Sequence, residues 1–487
     1  MAHGGPQRLK ELHRDIYYLV FQIFSEVEKL PFPTYGAMTD AIVALETREE
    51  SKIKILMLSI ILGMFYGVFL YFIPFISGGK AVPIPLPWID LNYYLQFVLP
   101  GASLGFATSL TIFAFSFIIP FNVLLWMFIG AFAVHVIGNT VLVSMGIWKT
   151  WAPNTDVFFA YRESITHFWM SPILGISIIA AVLPLIRHPQ IISRSIRAMA
   201  AAATQEKTGK GFMQPSWLLI MYLIGSIINL IVIWYLIPGA PLFYLAVVLI
   251  GFIFIWNVIS ANAVAVTGSP ILMPQLYQII LMGGGIRDVP SWFMPMYATT
   301  APYGATWCGY MKFADLCGVR IREFVKAWII IVVIGTVMCF FYTQALWSMA
   351  EMPSYVYPWL QKTWPVEATI WLWWIDVGTG GHQLLNTQLI VGAAGVVSVI
   401  YLLSEFLRLP FSLIGLLIGM NTYIPIVTTQ MLGGIMGRFV LPRILGKEFW
   451  NKNKSLIAAG LVIGEGVIAT ISAAIALISK ALWVLPY

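Results

Sequence analysis

The feature that most constrains this chain is an apolar stretch that is interrupted before it can cross a membrane. Residues Pro410–Val440 read PFSLIGLLIGMNTYIPIVTTQMLGGIMGRFV. A continuous spanning helix takes about 20 apolar residues to cover roughly 30 Å of hydrocarbon. Here two shorter pieces, Ser412–Gly419 and Ile426–Met436, flank Met420-Asn421-Thr422-Tyr423-Ile424-Pro425. Unwound backbone at that depth has no water to bond to, so it survives only where protein or a wet cavity covers it. Broken helices of this kind point to the binding site of a membrane carrier. A basic segment and a last apolar helix with Gly464-Glu465-Gly466 in its interior follow, closing an organising region that runs to Ile478.

Hydrophobic residues make up 59% of the 487, and Asp, Glu, Lys and Arg only 10%, against about 25% charged in soluble domains. The net charge of +7 says little about nucleic acid, because the basic residues lie between apolar segments. Cys308, Cys317 and Cys339 are odd in number and lack CxxC spacing, so no disulfide or metal framework is expected. No signal peptide is read: the first residues are polar and the first long apolar run begins at Ile55.

Residues 1–54 read as a cytoplasmic amphipathic segment, and 55–487 as one transmembrane domain. Ile55–Ser77, Phe168–Ile186, Trp217–Ile237, Leu242–Val266, Ala327–Trp347, Leu384–Leu403 and Leu456–Ser479 are expected spans. Pro100–Ser144 holds two apolar pieces meeting at Pro120, with the same hydropathy shape as Pro410–Val440. Gly268–Tyr310, broken by six Pro and Gly sites, reads as a re-entrant pair of short helices, and Ser348–Gln383 as an external loop with an interfacial segment at Ile370–Trp374. The expected fold is an all-α polytopic integral membrane protein of about eleven spanning or half-spanning helices, with broken hairpins at 100–144 and 410–440 and a re-entrant segment at 268–310.

With the N-terminus cytoplasmic, 22 of the 28 Lys and Arg fall on the cytoplasmic side, five (Lys80, Lys149, Arg162, Lys362, Lys480) lie outside, and Arg287 sits in the re-entrant segment. The hairpin at Pro100 then enters from outside and that at Pro410 from the cytoplasm. Two similar broken segments of opposite orientation suggest an inverted repeat with the substrate between them; two ordinary proline-turned hairpins are the plainer reading.

Lys29-Leu30-Pro31-Phe32-Pro33, the hairpin from Pro100, Ala314-Asp315-Leu316 with Arg320 and Arg322, Pro410–Val440 and Gly464-Glu465-Gly466 occur in one order. In these residues the chain resembles the oligopeptide transporter family, including the yellow-stripe-like metal-chelate carriers, from about Glu26 to Trp483. The resemblance is to the C-terminal two-thirds of that family. It implies a proton-coupled secondary transporter of short oligopeptides or metal–chelate complexes, in the plasma membrane, with no cofactor. Family members carry further spanning helices ahead of the Leu-Pro-Phe-Pro signature, whereas 28 residues precede Lys29 here. The resemblance therefore implies a companion membrane subunit, or a homo-oligomer, supplying that cover.

Asn421, Thr422 and Tyr423 sit at the break and are the leading candidates for substrate contact. In a helix starting near Leu456 and rising about 1.5 Å per residue, Glu465 lies about 13–14 Å deep, where an ionisable group is a candidate for function; it is read as a proton-coupling site, or else as a protonated structural group, with Gly464 and Gly466 admitting close neighbours. His135, four residues before Asn139 and beside Thr140, is a second proton-coupling candidate, and Asn139 and Thr140 are possible substrate contacts. Asn257 and Asn262, with Ser260 and Thr267, could line a path or hold helices together. Asp315, Arg320 and Arg322 read as a solvated surface or a salt-bridged gate.

Rival classes are a non-transporting membrane subunit and a membrane-embedded enzyme. Haem or metal chemistry needs several intramembrane His or Cys ligands. Of six His, His3, His13 and His188 fall in polar segments and His382 at a loop end. No HExxH or Walker pattern appears in the sequence.

Overall fold

The computed structural model describes residues 25, 32, 35, 39, 42, 49–187, 215–236, 239, 241–267, 280–282, 284–286, 303–354, 357–378 and 386–482. In chain order the helices are α1 (Glu50–Ile76), α2 (Asn92–Leu95), α3 (Leu110–Phe115), α4 (Phe121–Ser144), α5 (Val157–Ser164), α6 (Met170–Arg187), α7 (Pro215–Leu236), α8 (Leu242–Ala246), α9 (Ile253–Thr267), α10 (Tyr303–Leu316), α11 (Ile321–Met349), α12 (Pro358–Gly378), α13 (Thr387–Phe406), α14 (Leu413–Met420), α15 (Ile424–Leu445) and α16 (Lys447–Leu482). Wider i→i+5 turns occur at Val68–Phe72 in α1, Ala133–Gly138 in α4 and Met436–Val440 in α15, and Ile165–Trp169 joins α5 to α6 in the same way. Among the described residues, α1, α4, α11, α13, α15 and α16 are long and apolar enough to cross a membrane. The protein is an all-α polytopic integral membrane protein.

The chain forms two compact units, Met1–Thr39 with Ser177–Asn386, and Asp40–Ile176 with Thr387–Tyr487. The second unit contains both broken hairpins, one in each half. Its first half runs α1, half-helix α3, α4, then α5 and α6; its second half runs α13, half-helix α14, α15, then α16. The packing crosses between the halves: α1 lies on α16, α14 on α4 and α3 on α15, and Gly175 of α6 meets the Ile390 carbonyl of α13. Exchanging the halves turns the α1–α16 pair into α13–α6, and the α14–α4 pair into α3–α15.

Close approach makes the exchange stable. Lipid tails leave no hydrophobic gain for joining two apolar helices, so packing relies on small residues that let backbones touch. A Cβ on Gly464 would overlap the Ile60 carbonyl of α1, and one on Gly419 of α14 would overlap the Met127 carbonyl of α4. Gly63 faces Leu461 and Gly67 faces Ile468; the numbers rise together, so α1 and α16 run parallel. Gly466 differs from expectation, with nothing within 4 Å of the place a Cβ would take. It lies on the outward face of a helix whose inward face carries Gly460 and Gly464.

In the first unit, buried Phe32 and Tyr35 join a core with Val258, Ala265, Cys308 and Met311. The Phe32 amide donates to the Ala265 carbonyl at 2.9 Å, so the phenylalanine of the Leu-Pro-Phe-Pro signature is anchored on α9.

Several boundaries differ from the sequence reading. The apolar run from Pro100 does not begin as helix: Gly105–Ala107 (β2) pairs antiparallel with Trp88–Asp90 (β1), Trp88 opposite Ala107, and helix starts only at Leu110. The break after Pro410 is shorter than expected, because Ile424 and Pro425 already belong to α15. Proline fits a first helical turn, where its missing N–H has no partner to lose. The basic segment 438–455 is helical apart from one turn at Gly446, whose φ is +90°, so α16 begins at Lys447 rather than near Leu456. The interfacial segment expected at Ile370–Trp374 is part of the 21-residue α12. Most of the re-entrant region 268–310 and of the N-terminal segment lies outside the described residues.

Candidate functional site

The break between α14 and α15 is built from both ends. Ser412 caps the start of α14, its hydroxyl accepting from the Gly415 amide at 3.1 Å, one of the orphan donors a helix start leaves. At the other end Asn421 is the C-cap, its amide shared between the Leu417 and Ile418 carbonyls at 3.2 Å. Thr422 returns its hydroxyl to Ile418 O at 2.6 Å. Extended backbone at Tyr423 (φ −54°, ψ 127°) then feeds α15. Two threonines fix that helix to β2: Thr428 donates to Gly105 O and Thr429 to Ala107 O at 2.9 Å.

Side chains from the first half of the unit converge on this break. Asp156 caps α5 by accepting from Phe159 N at 2.9 Å, and Asp90 of β1 accepts the next free donor, Val157 N, at 2.8 Å. This anchoring directs Phe158, Tyr161 and Arg162 to Tyr423. The Tyr161 hydroxyl donates to Asn421 O at 2.9 Å, and Arg162 Nε donates to Tyr423 Oη at 2.9 Å. Tyr423 sits among three rings, Tyr161 at 4.0 Å, Trp88 at 5.3 Å and Phe158 at 6.0 Å between centroids. The guanidinium lies over the Tyr423 and Phe158 faces. A cation flanked by aromatic faces attracts carboxylate ligands, which pair with a guanidinium through short charge-assisted bonds.

His135 completes the cluster. It is buried, its ring is 5.2 Å from that of Tyr161, and the Met420 and Thr422 backbone lies beside it. Neither ring nitrogen makes a hydrogen bond among the described residues. Its position in the wide turn Ala133–Gly138 replaces the i,i+4 relation to Asn139 expected for a regular helix, and such turns concentrate at functional sites. The half-buried Asn421 presents a side-chain amide without a hydrogen bond among the described residues.

The other proposed contacts are engaged within the protein. Buried Asn139 donates to Ser164 Oγ at 3.3 Å and accepts from Trp169 Nε1 at 2.8 Å, holding α4 to the α5–α6 helix. Thr140 bonds back to Val136 O at 2.8 Å. Asn257 and Asn262 belong to the other unit, on α9; the Asn257 amide donates to Ile253 O at 2.9 Å, and the Asn262 side chain lies outside the described residues. Lys312 pairs with Asp315 at 3.3 Å.

Glu465 stands at the middle of the 36-residue α16 and is 2% exposed. Its carboxylate accepts from four donors at the start of α3 and on α1. One oxygen takes Thr111 N and Thr111 Oγ1, both at 2.6 Å, and Ser109 Oγ at 3.4 Å; among the described residues the other takes only Tyr71 Oη, at 3.1 Å. An acidic group at a helix start meets the orphan N–H groups and the positive end of the helix dipole. Tyr71 itself lies in the wide turn of α1.

Sequence reasoning missed Trp88, Phe158, Tyr161, Arg162 and Tyr71. Arg162 was counted among outer-loop charges; the signal that could have found it is the acidic cap at Asp156, which starts an amphipathic helix there. In the first unit, Ser226 and Asn229 of α7 are buried, with no partner within hydrogen-bond geometry among the described residues, and a lone Asn in an apolar span is their visible mark.

A family model described as OPT oligopeptide transporter protein matches residues 18–476. No curated protein matches the chain.

Proposed function

The chain belongs to the oligopeptide transporter family, and on that premise we propose that it carries short peptides across the cell membrane, coupled to protons, with substrate held at the α14–α15 break. The observation that carries this reading is the convergence of Asn421, Tyr423, Tyr161, Arg162 and His135 on one break in a membrane helix. Each supplies a group a peptide needs. The Asn421 amide offers both a donor and an acceptor to peptide backbone. Arg162 attracts a terminal carboxylate, and the rings of Trp88, Tyr161 and Tyr423 accept side chains of varied shape. His135 supplies a second exchangeable proton at the break.

Proton coupling is assigned to Glu465. Its four donors satisfy an ionised carboxylate. A proton arriving on the oxygen that meets only Tyr71 can be donated to Tyr71 Oη, since a hydroxyl accepts as well as donates. The protonated group then holds the start of α3 less strongly. That start follows directly on β2, whose carbonyls bind Thr428 and Thr429 in the early turns of α15. Proton occupancy and the geometry of the break thus share one continuous set of contacts. The exchanged packing of the two halves supports an inverted repeat with the site between its breaks, and the Lys and Arg distribution supports a cytoplasmic N-terminus.

The test is proteoliposome uptake of a mixed tri- to pentapeptide pool, with metal–chelate complexes as the competing substrates, with and without a pH gradient. Peptide accumulation driven by the gradient supports the reading. Glu465→Gln is expected to abolish gradient-driven accumulation while peptide exchange at equal pH persists. Uptake of chelates alone would overturn the substrate assignment, and a Glu465→Gln variant with full gradient-driven uptake would return Glu465 to a purely structural role.

A further inference from the structure

Beside the turn between α15 and α16, at the far end of α15 from the break, lies a cavity of about 280 Å³. Four cations line it, Arg438, Arg443, Lys447 and Lys454, and no acidic side chain does. None of the four makes an ion pair among the described residues. Arg438 is held in place from outside the cavity: its guanidinium donates to the Ile119 and Gly434 carbonyls and lies over the Phe121 ring. The floor is Trp450, 1% exposed, whose Nε1–H donates to Gly437 O and whose ring packs edge-on against Phe117 at 5.2 Å. The Gly446 φ of +90° folds the two spans tightly enough to bring the four charges together.

Gathering four like charges around one cavity is unfavourable unless an anion offsets the repulsion. The cavity's place selects the kind of anion. It sits at the turn that joins two helices long and apolar enough to cross a membrane, where a span's end meets the headgroup region, and exposed Phe439, Ile444, Leu445 and Phe449 surround the turn. Cations beside an apolar rim match a phosphate carried on acyl chains, and basic pockets between spanning helices take such headgroups. We propose that this cavity binds the phosphate of an anionic phospholipid from the adjoining leaflet. The shared chemistry is phosphate, so a soluble phosphate is the competing source. This site is independent of the transport reading and of the residues at the break.

The test is native mass spectrometry of the full chain purified in an equimolar mixture of phosphatidylglycerol and phosphatidylcholine. The wild type is expected to retain phosphatidylglycerol preferentially, and each of Arg443→Gln, Lys447→Gln and Lys454→Gln should lower that preference about fivefold. Lys447→Arg should keep it. Lys452→Gln, on the same helix but outside the cavity and facing Glu49, should also keep it. Size-exclusion profiles identify any variant that fails to fold, and the single substitutions preserve the comparison. Equal retention of the two lipids by the wild type overturns the proposal, as does an equal loss in Lys452→Gln. Displacement of bound lipid by millimolar inorganic phosphate or glycerol 3-phosphate would assign the cavity to a soluble phosphate instead.

Discussion

Asn421 and Asn139 show how one residue type is engaged in two different ways. Asn139 has its donor and acceptor filled by Ser164 and Trp169, so it joins helices, a bond worth about 0.6 kcal/mol on average between membrane helices. Asn421 keeps its amide available, and only its backbone is used by Tyr161. Asn421→Ala should therefore raise the KM for peptide uptake about tenfold, the equivalent of one hydrogen bond to substrate. Thermal stability should stay within about 0.5 kcal/mol of the wild type. Initial-rate uptake and a melting curve on the same preparation check both parts; a destabilised variant with unchanged KM would place Asn421 with Asn139.

At the scale of elements, interruptions were more legible in the sequence than boundaries. The break after Pro410 and the turn at Pro120 are written in Pro, Gly, Asn and Thr, residues whose backbone preferences act locally. Glu465 was legible because an acidic residue in an apolar helix has few explanations. The β1–β2 pair is not legible: three-residue strands carry too little alternation, and the segment is held by contacts farther along the chain, Leu104 N to Asn92 Oδ1 and Val157 N to Asp90 Oδ2. The helical character of 438–455 was hidden because hydropathy falls where Lys and Arg cluster, although those residues are good helix formers. Helix packing shows the same split. Gly464 and Gly466 look alike in sequence, but only the former faces another backbone. Gly419→Leu should cost at least about 1–3 kcal/mol through overpacking against α4, whereas Gly466→Leu should leave stability unchanged or raise it, glycine being a poor helix residue. Denaturation of the two variants in matched detergent tests this, and equal losses would contradict the assigned faces.

For the molecule as a whole, the second unit is organised by exchange: each half supplies the partner for the other half's helices, and the site forms where the second half-helix ends against the first half's long helix. This arrangement explains why Asn421 and Tyr423 meet Tyr161 and Arg162, 260 and 261 residues away in sequence, beside the buried His135. It also links Glu465 to the break, though the two lie on different helices: the start of α3 binds Glu465, and β2 just before it binds Thr428 and Thr429. The most direct test is photo-crosslinking in proteoliposomes, with a photoreactive amino acid placed at 421 in one variant and at 466 in another, and a labelled transported peptide present. The account predicts a peptide adduct at 421 that excess unlabelled peptide suppresses, and none at 466. Labelling at 466 with none at 421, or labelling at 421 that excess peptide leaves unchanged, would contradict it.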